Sequence, residues 1–144
     1  MEEVLVRYVH LLGIILFSSG LFVELYLLSE KVSAEQMKKL VVADRMCGVS
    51  IIIVLISGLL LWFFVGKPSV FYSGNWVFYV KLSVLFVIFL LAIYPAIFFI
   101  RNQSNDKREI EIPKRVISLI RTEVALLIIM SFLAVVMARG YGIG

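Results

Sequence analysis

Four apolar stretches without a charged side chain recur along the chain, each between 15 and 21 residues long. They cover residues 8–23, 46–66, 82–100 and 124–138. A membrane-spanning helix needs roughly 20 mostly apolar residues, and each stretch reaches that length once its flanks are added. The pattern predicts an all-α fold, an integral membrane four-helix antiparallel bundle. Residues 1–144 would form a single four-span domain, with spans at about 4–28, 42–65, 76–100 and 114–138.

Residues between the apolar stretches predict where the helices begin and end. Ser33 and Gln36 have the spacing of a capping box, so helix 2 is expected to begin near residue 34, before its apolar part. The motif Gly66-Lys67-Pro68 is expected to end helix 2, and Pro113 suits the first turn of helix 4. Pro95 removes a backbone donor from helix 3, which predicts a kink.

The composition agrees with a membrane protein. Apolar residues make up 62% of the chain and charged residues 17%, with a mean hydropathy of +1.03. Soluble domains are about 45–50% apolar, so a solvated globule is excluded. Trp62, Tyr72 and Trp76 are typical of an interfacial aromatic belt. The single cysteine, Cys47, excludes an intrachain disulfide and a CxxC redox pair.

The net charge of +4 comes from basic residues in short links beside the spans, a pattern typical of membrane orientation rather than of nucleic-acid binding. The links after helices 1 and 3 contain Lys31, Lys38, Lys39, Arg45, Arg101, Lys107, Arg108, Lys114 and Arg115. The opposite side has only Arg7, Lys67 and Arg139. The positive-inside rule then places both termini outside the cytoplasm. The acidic start and the lack of a cleavage site favour keeping span 1 in the protein.

Charged side chains within membrane spans are costly and are functional candidates by default. Glu24 and Glu123 are expected to face the bundle interior, either protonated or paired. The predicted polar network that they join is Glu24, Asp44, Arg45, Tyr94, Arg121 and Glu123. Two interpretations remain open: an ion-paired network that fixes helix packing, and a proton relay or polar cavity. Lys81, Arg45 and Arg121 could also be surface charges that extend to the membrane interface.

His10 is the single histidine of the chain, in the half of helix 1 near the N-terminus. An imidazole beside basic side chains suits an axial haem ligand, with the propionates bound by the cations Arg7, Lys81 and Arg139. Gly13 and Gly20 would let a flat ligand or another helix approach closely. The alternative is a histidine that forms a hydrogen bond between helices. Bis-histidine ligation would need a homodimer; otherwise Met or Lys would be the second ligand.

The chain resembles, over nearly its whole length, a bacterial family of membrane proteins catalogued as domain of unknown function 2214. The resemblance rests on Tyr8-Val9-His10, Glu24, Ala43-Asp44, Gly58-Leu59, Lys81, Ile93-Tyr94-Pro95, Arg121-Thr122-Glu123 and Met137-Ala138-Arg139-Gly140. It implies a four-helix architecture in the bacterial inner membrane and assigns no activity.

A second resemblance is to the HemJ-type protoporphyrinogen oxidases, which use a histidine of helix 1 and a lysine of helix 3. The matching residues are His10 with Gly20-Leu21-Phe22, Arg45 with Gly58, and Trp76 with Lys81. The spacing of Trp76 and Lys81 is one residue longer than is usual in that family. The resemblance implies a porphyrin pocket at His10 and Lys81.

These patterns favour a membrane protein that binds haem b or another porphyrin, with His10 as the ligand to the metal and redox activity as an open question. An alternative is a small proton-coupled carrier that uses Glu24 and Glu123. A third alternative is a membrane scaffold without a ligand. A homodimer is the expected assembly, because it would supply a second His10.

Overall fold

The computed structural model describes residues 1–65, 76–103 and 109–139, apart from the side chains of Val65 and Ala138. It contains four long helices: α1 (Glu2–Leu27), α2 (Ala34–Leu60), α3 (Trp76–Asn102) and α4 (Lys114–Ala138). One turn of π-helix, Leu61–Val65, extends α2. Two three-residue strands, β1 (Lys31–Ser33) and β2 (Glu109–Glu111), precede α2 and α4. The all-α four-helix prediction is therefore confirmed.

The start of α2 agrees with the predicted capping box. The Ser33 hydroxyl accepts a hydrogen bond from the Gln36 backbone N–H, and the Gln36 side chain accepts one from the Ser33 N–H, each 3.1 Å long. Helix α2 begins at Ala34 as expected. Pro113 is the N-cap residue of α4 rather than part of its first turn. The predicted end of helix 2 at Gly66-Lys67-Pro68, together with Tyr72, Lys107 and Arg108, lies outside the described residues.

A small antiparallel ribbon joins the two links at one end of the bundle. The predictions from the sequence do not include this ribbon. Lys31 pairs with Glu111 and Ser33 with Glu109. Between them the apolar side chains of Val32 and Ile110 are 1% and 4% exposed. Since α1 and α3 end at this ribbon and α2 and α4 begin there, the helices alternate in direction. We call this the ribbon end of the bundle.

The helices pack as two hairpins, α1 with α2 and α3 with α4, which meet through the pairs α1–α4 and α2–α3. The shared core contains Phe17, Leu21, Ile51, Ile88 and Ile120. All four helices are long and apolar enough to cross a membrane, and between 17% and 33% of each apolar span is buried inside the protein. Most of the apolar surface therefore faces outward, as expected for a protein surrounded by lipid.

Two glycines bring α1 against α2. An ideal Cβ at Gly13 would lie 2.9 Å from Val54 Cγ2, and one at Gly20 would lie 2.7 Å from Cys47 Sγ. Small residues at such contacts let the backbones of membrane helices approach closely. The sequence left open whether a flat ligand or another helix packs against these glycines. In the structure, helix α2 packs against both.

Candidate functional site

A cavity of about 190 Å³ lies between the helices, away from the ribbon end, and we call it the histidine cavity. All four helices contribute to its wall. The lining residues whose side chains can act as metal ligands are His10 from α1, Lys81 from α3, and Met130 and Met137 from α4. Imidazole, amine and thioether groups are all ligands for transition metals or haem iron. The structure therefore places His10 and Lys81 in the wall of one cavity, together with two methionines.

The imidazole of His10 is held by a hydrogen bond to helix α2. Its Nδ1 lies 2.8 Å from the Ser57 Oγ. The Ser57 hydroxyl lies 2.6 Å from the Ile53 carbonyl oxygen, to which it donates. A serine hydroxyl has one hydrogen, so when Ser57 donates to Ile53 it accepts from His10, and this arrangement assigns the ring proton to Nδ1. This assignment leaves Nε2 with a free lone pair, which is the arrangement of a metal-ligating histidine.

Gly58 makes room for the same ring. An ideal Cβ at this position would lie 3.3 Å from His10 Cε1 and 3.8 Å from its Nδ1. Ser57 and Gly58 therefore fix the imidazole from one side, the first by a hydrogen bond and the second by its lack of a side chain. Sequence reasoning did not identify Ser57, because a partner 47 residues away leaves no local signal.

The π turn after α2 contributes an aromatic wall to the histidine cavity. The Trp62 ring stacks on Phe63 with 4.4 Å between centroids and meets the Phe78 ring edge-on at 4.8 Å. Trp62 and Phe78 both line the cavity. The sequence placed Trp62 in an interfacial belt, and the structure turns it inward. Single π turns inside helices occur frequently at functional sites.

The three predicted cations differ in their relation to this cavity. Lys81 is half-buried and lines both the histidine cavity and the chamber next to it. Arg7 lines the cavity and forms an ion pair with Glu3, with 2.7 Å between Nη2 and Oε1. Arg139 is exposed and does not line the cavity. Met137 lines it, and a residue two positions later lies about 200° further around the helix.

A middle chamber of about 210 Å³ lies next to the histidine cavity, on the side of the ribbon end. It shares Ile14, Val54, Lys81, Leu85 and Met130 with the histidine cavity. It also shares Phe17 and Ile51 with a third pocket. Apart from Lys81 and Ser131, its lining is apolar. The three spaces therefore follow one another along the bundle.

The third space, of about 160 Å³, is lined by Glu24 from α1, Asp44 from α2 and Glu123 from α4, and we call it the carboxyl pocket. Glu24 is 2% exposed and Glu123 3% exposed. The Glu24 side chain forms hydrogen bonds with the side chains of Asp44 and Cys47. The Glu24 Oε1 atom is buried and has no hydrogen-bond partner among the described residues. A buried carboxyl oxygen without a partner is costly and calls for a physical explanation.

The structure does not bring the other predicted members of the polar network into this pocket. Arg45 is exposed, and its Nη2 donates to Gln103 Oε1 over 3.0 Å. Tyr94 is 42% exposed, with the Arg115 guanidinium 5.8 Å from its ring centroid.

Arg121 is exposed as well. It precedes Glu123 by two positions, and this separation turns the two side chains about 200° apart. Within the described residues, none of the three pocket carboxyls forms an ion pair. The predicted pairing of Glu24 and Glu123 with Arg45 and Arg121 is thus replaced by a cluster of carboxyl groups.

The described residues contain no group of three or more His, Cys, Asp and Glu side chains arranged to hold a metal ion. Haem iron takes four of its ligands from the porphyrin and needs few from a protein. The histidine cavity fits such a group by its donor set: one imidazole nitrogen, two thioethers and one amine.

The chain belongs to a family of predicted membrane proteins, domain of unknown function 2214, whose family model matches residues 2–142. Neither a search of curated proteins nor a search of solved structures found a match to the chain. The similarity to porphyrinogen oxidases therefore stays a prediction.

Proposed function

We propose that this four-span member of the family binds haem b, or a closely related metalloporphyrin, in the histidine cavity. The observation that supports the proposal best is the 2.8 Å contact between His10 Nδ1 and the Ser57 Oγ, on a residue that lines an apolar cavity. With the ring proton on Nδ1, Nε2 would be the atom that binds the iron. A b-type haem needs little more than such a ligand, an apolar slot and partners for its propionates.

The other side chains of the cavity fit the remaining needs of a haem. Met130, Met137 and Lys81 are each available as a second axial ligand. Arg7 lines the cavity and would bind a propionate. Ligand pockets usually measure about 300–1,000 Å³, so a porphyrin would use the middle chamber as well as the histidine cavity. Bound haem supplies one-electron redox chemistry, and the protein sets its potential through the axial ligands and the polarity of the cavity.

The test is an absorption spectrum of the full chain purified from haem-replete cells. A Soret band is expected, and His10→Ala should abolish it while the protein stays folded and monodisperse. Met130→Leu and Met137→Leu keep the side-chain volume, so a spectral change in either identifies the second ligand. Met46→Leu, outside the histidine cavity, is the matched control. A protein without a Soret band at any haem supply, or one whose band survives His10→Ala, refutes the proposal.

Redox activity follows as the finer part of the same proposal. The resemblance to protoporphyrinogen oxidases favours a porphyrinogen as the substrate. With a quinone added to take up the electrons and protons, membranes that contain the wild-type chain should oxidise protoporphyrinogen to protoporphyrin faster than membranes with His10→Ala. Equal rates would leave haem binding in place and remove the oxidase.

A second candidate function is a small proton-coupled carrier that uses Glu24 and Glu123. The specific observation in its favour is the unpartnered Glu24 Oε1 atom, within the described residues, in a pocket of carboxyl groups. The chain reconstituted in liposomes should then move protons in the presence of substrate, and Glu24→Gln should stop this movement. A scaffold without a ligand predicts instead that neither His10→Ala nor Glu24→Gln has an effect beyond stability.

We place the chain in the bacterial inner membrane, with the ribbon end in the cytoplasm and both termini outside. The support comes from the basic residues of the described ribbon end: Lys31, Lys38, Lys39, Arg45, Arg101, Lys114 and Arg115. Such an excess is typical of cytoplasmic links. Reporter fusions after residues 30 and 112 should report a cytoplasmic location. Periplasmic signals from both would reverse the orientation.

The proposed assembly is a homodimer. His10 also lines an open groove on the outer face of α1, beside Tyr8 and Leu11, so the ring borders a surface that a second copy can reach. A Leu11→Cys variant on a Cys47→Ala background should crosslink as a dimer in membranes. Phe132→Cys, on the exposed face of α4, is the control. Monomers alone in both variants would contradict the dimer.

A further inference from the structure

The carboxyl pocket combines a strongly polar end with apolar walls. Glu24, Asp44 and Glu123 come from three helices, whereas α3 contributes Phe89, Ala92, Ile93 and Ala96. We infer that this pocket binds a small organic cation, a primary ammonium with a short hydrocarbon body. The inference names the class of ligand that the carrier candidate would transport, and it rests on that candidate only for the transport itself. Binding of the cation does not depend on the haem proposal.

The carboxyl cluster of the pocket must be neutralised, either by protons or by a positive partner. Glu24 and Glu123 are almost fully buried, and the Glu24 Oε1 atom has no hydrogen-bond donor within the described part of the chain. Of the residues that the structure describes, no lysine or arginine lines the pocket. Buried carboxylates are normally paired, because an isolated charge loses its hydration without compensation. An ammonium group offers three N–H donors, and the pocket offers three carboxyl groups to receive them.

The apolar side of the pocket selects against a metal ion. Calcium takes six to eight oxygen ligands and magnesium a regular octahedron of oxygens. The wall from α3 offers hydrocarbon in place of oxygen, and the described residues contain no arrangement suited to a metal. Phe17 and Phe89 add aromatic rings to the wall, and such rings attract organic cations through their faces.

The size of the pocket favours a short ligand over a proton alone. Roughly 10–15 Å³ of cavity volume is enough to hold one water molecule. The carboxyl pocket, at about 160 Å³, is much larger. A proton on Glu24 would reduce the charge and leave most of this space to be filled. An ammonium with a chain of a few carbon atoms would fill both the polar and the apolar part of the pocket.

Gly48 forms an opening in the wall of the pocket. It is exposed, and an ideal Cβ at this position would meet no atom within 4 Å. Asp44, one turn earlier on the same helix, is half-buried and lies nearer the ribbon end. A ligand can therefore approach between α2 and α3 without breaking the contact of α1 with α2. A large side chain at position 48 should block this approach.

The experiment measures thermal unfolding of the purified full-length chain in nanodiscs with butylammonium chloride as the probe. A ligand that binds only the folded state raises the melting temperature in a saturable way. Sodium chloride at the same ionic strength and butanol at the same concentration test charge alone and hydrocarbon alone. Wild-type protein should respond to butylammonium and to neither control.

The variants locate the binding site. Glu24→Gln should weaken butylammonium binding at least tenfold, and Gly48→Phe should weaken it through steric exclusion. Glu35→Gln, an exposed glutamate at the start of α2, is the matched control and should bind like the wild type. If Glu24→Gln does not give folded protein, as judged by helicity and monodispersity, Glu123→Gln takes its place.

The outcomes separate this inference from the carrier. Binding without transport in liposomes supports the cation site and refutes the carrier. The inference is overturned if butylammonium causes no shift, if sodium or butanol causes the same shift, or if Glu24→Gln and Glu123→Gln bind like the wild type. Proton movement without butylammonium binding would leave the carrier in place and remove the organic cation.

Discussion

Replacing Gly20 by alanine tests the contact that joins α1 to α2. The added Cβ would lie 2.7 Å from Cys47 Sγ, 3.1 Å from Met46 Cε and 3.2 Å from the Ala43 carbonyl oxygen. The Met46 methyl is the end of a flexible side chain and can move aside. The Cys47 sulfur is attached directly to Cβ, and the carbonyl is part of the backbone. The two helices must therefore separate locally to admit the methyl group.

The expected loss of stability follows from the cost of overpacking a filled core, about 1–3 kcal/mol. Gly20→Ala should accordingly lower the free energy of unfolding by about 2 kcal/mol, measured by reversible SDS unfolding in mixed micelles with helicity as the signal. Gly48→Ala is the matched control, since an ideal Cβ there meets no atom within 4 Å. It should not destabilise the protein, because alanine is the better helix former by about 1 kcal/mol.

A double-mutant cycle identifies the contact. Cys47→Ala removes the nearest atom, so part of the Gly20→Ala penalty should disappear in the double variant. A coupling of about 1 kcal/mol between the two positions is expected, within the usual range for residues in contact. Close packing at Gly20 is disproved if Gly20→Ala is as harmless as Gly48→Ala, and its contact with Cys47 is disproved if the two substitutions are additive.

Three further predictions concern single side chains. Ser57→Ala removes the acceptor for His10 Nδ1, so haem affinity should fall about 10–100-fold in a spectroscopic titration; an unchanged affinity would contradict the tautomer assignment. Gly58→Ala adds a Cβ 3.3 Å from His10 Cε1 and should shift the Soret maximum of the bound haem; an unaltered spectrum would place the haem elsewhere. Ser33→Ala removes the N-cap of α2 and should cost about 1 kcal/mol in the SDS assay, against no change for the exposed Ser118→Ala.

The architecture was predictable from the sequence because the spans and their caps are local signals. Each apolar stretch is long enough for a helix, and the Ser33–Gln36 capping box places the start of α2 within a few residues. The second strand of the ribbon also has a local sequence pattern, which the predictions from the sequence do not use. Glu109, Ile110, Glu111 and Ile112 alternate polar and apolar side chains, the pattern of a half-buried strand.

The sites were predictable only in part, because their geometry depends on pairs of residues far apart in the chain. The helical spacing of His10, Gly13, Phe17 and Glu24 indicates one face of α1. The structure places His10 and Glu24 in two different cavities. The partners of these residues come from other helices. A single sequence contains no information on how each helix is rotated against the others, so it left Arg45 and Arg121 open as partners of the two glutamates.

The positions of the polar residues in the bundle depend on how tightly the helices around them pack. Helices α1 and α2 meet through Gly13 and Gly20, with little space between them, and this rigid hairpin holds His10 against Ser57. Both cavities instead lie where the hairpin of α3 and α4 closes over it. Membrane helices have little hydrophobic drive to close such gaps, since lipid is as apolar as their side chains. Space therefore persists at the seam between the hairpins. A ligand that fills this space makes contacts that the protein alone does not make. Binding of such a ligand should therefore stabilise the folded bundle.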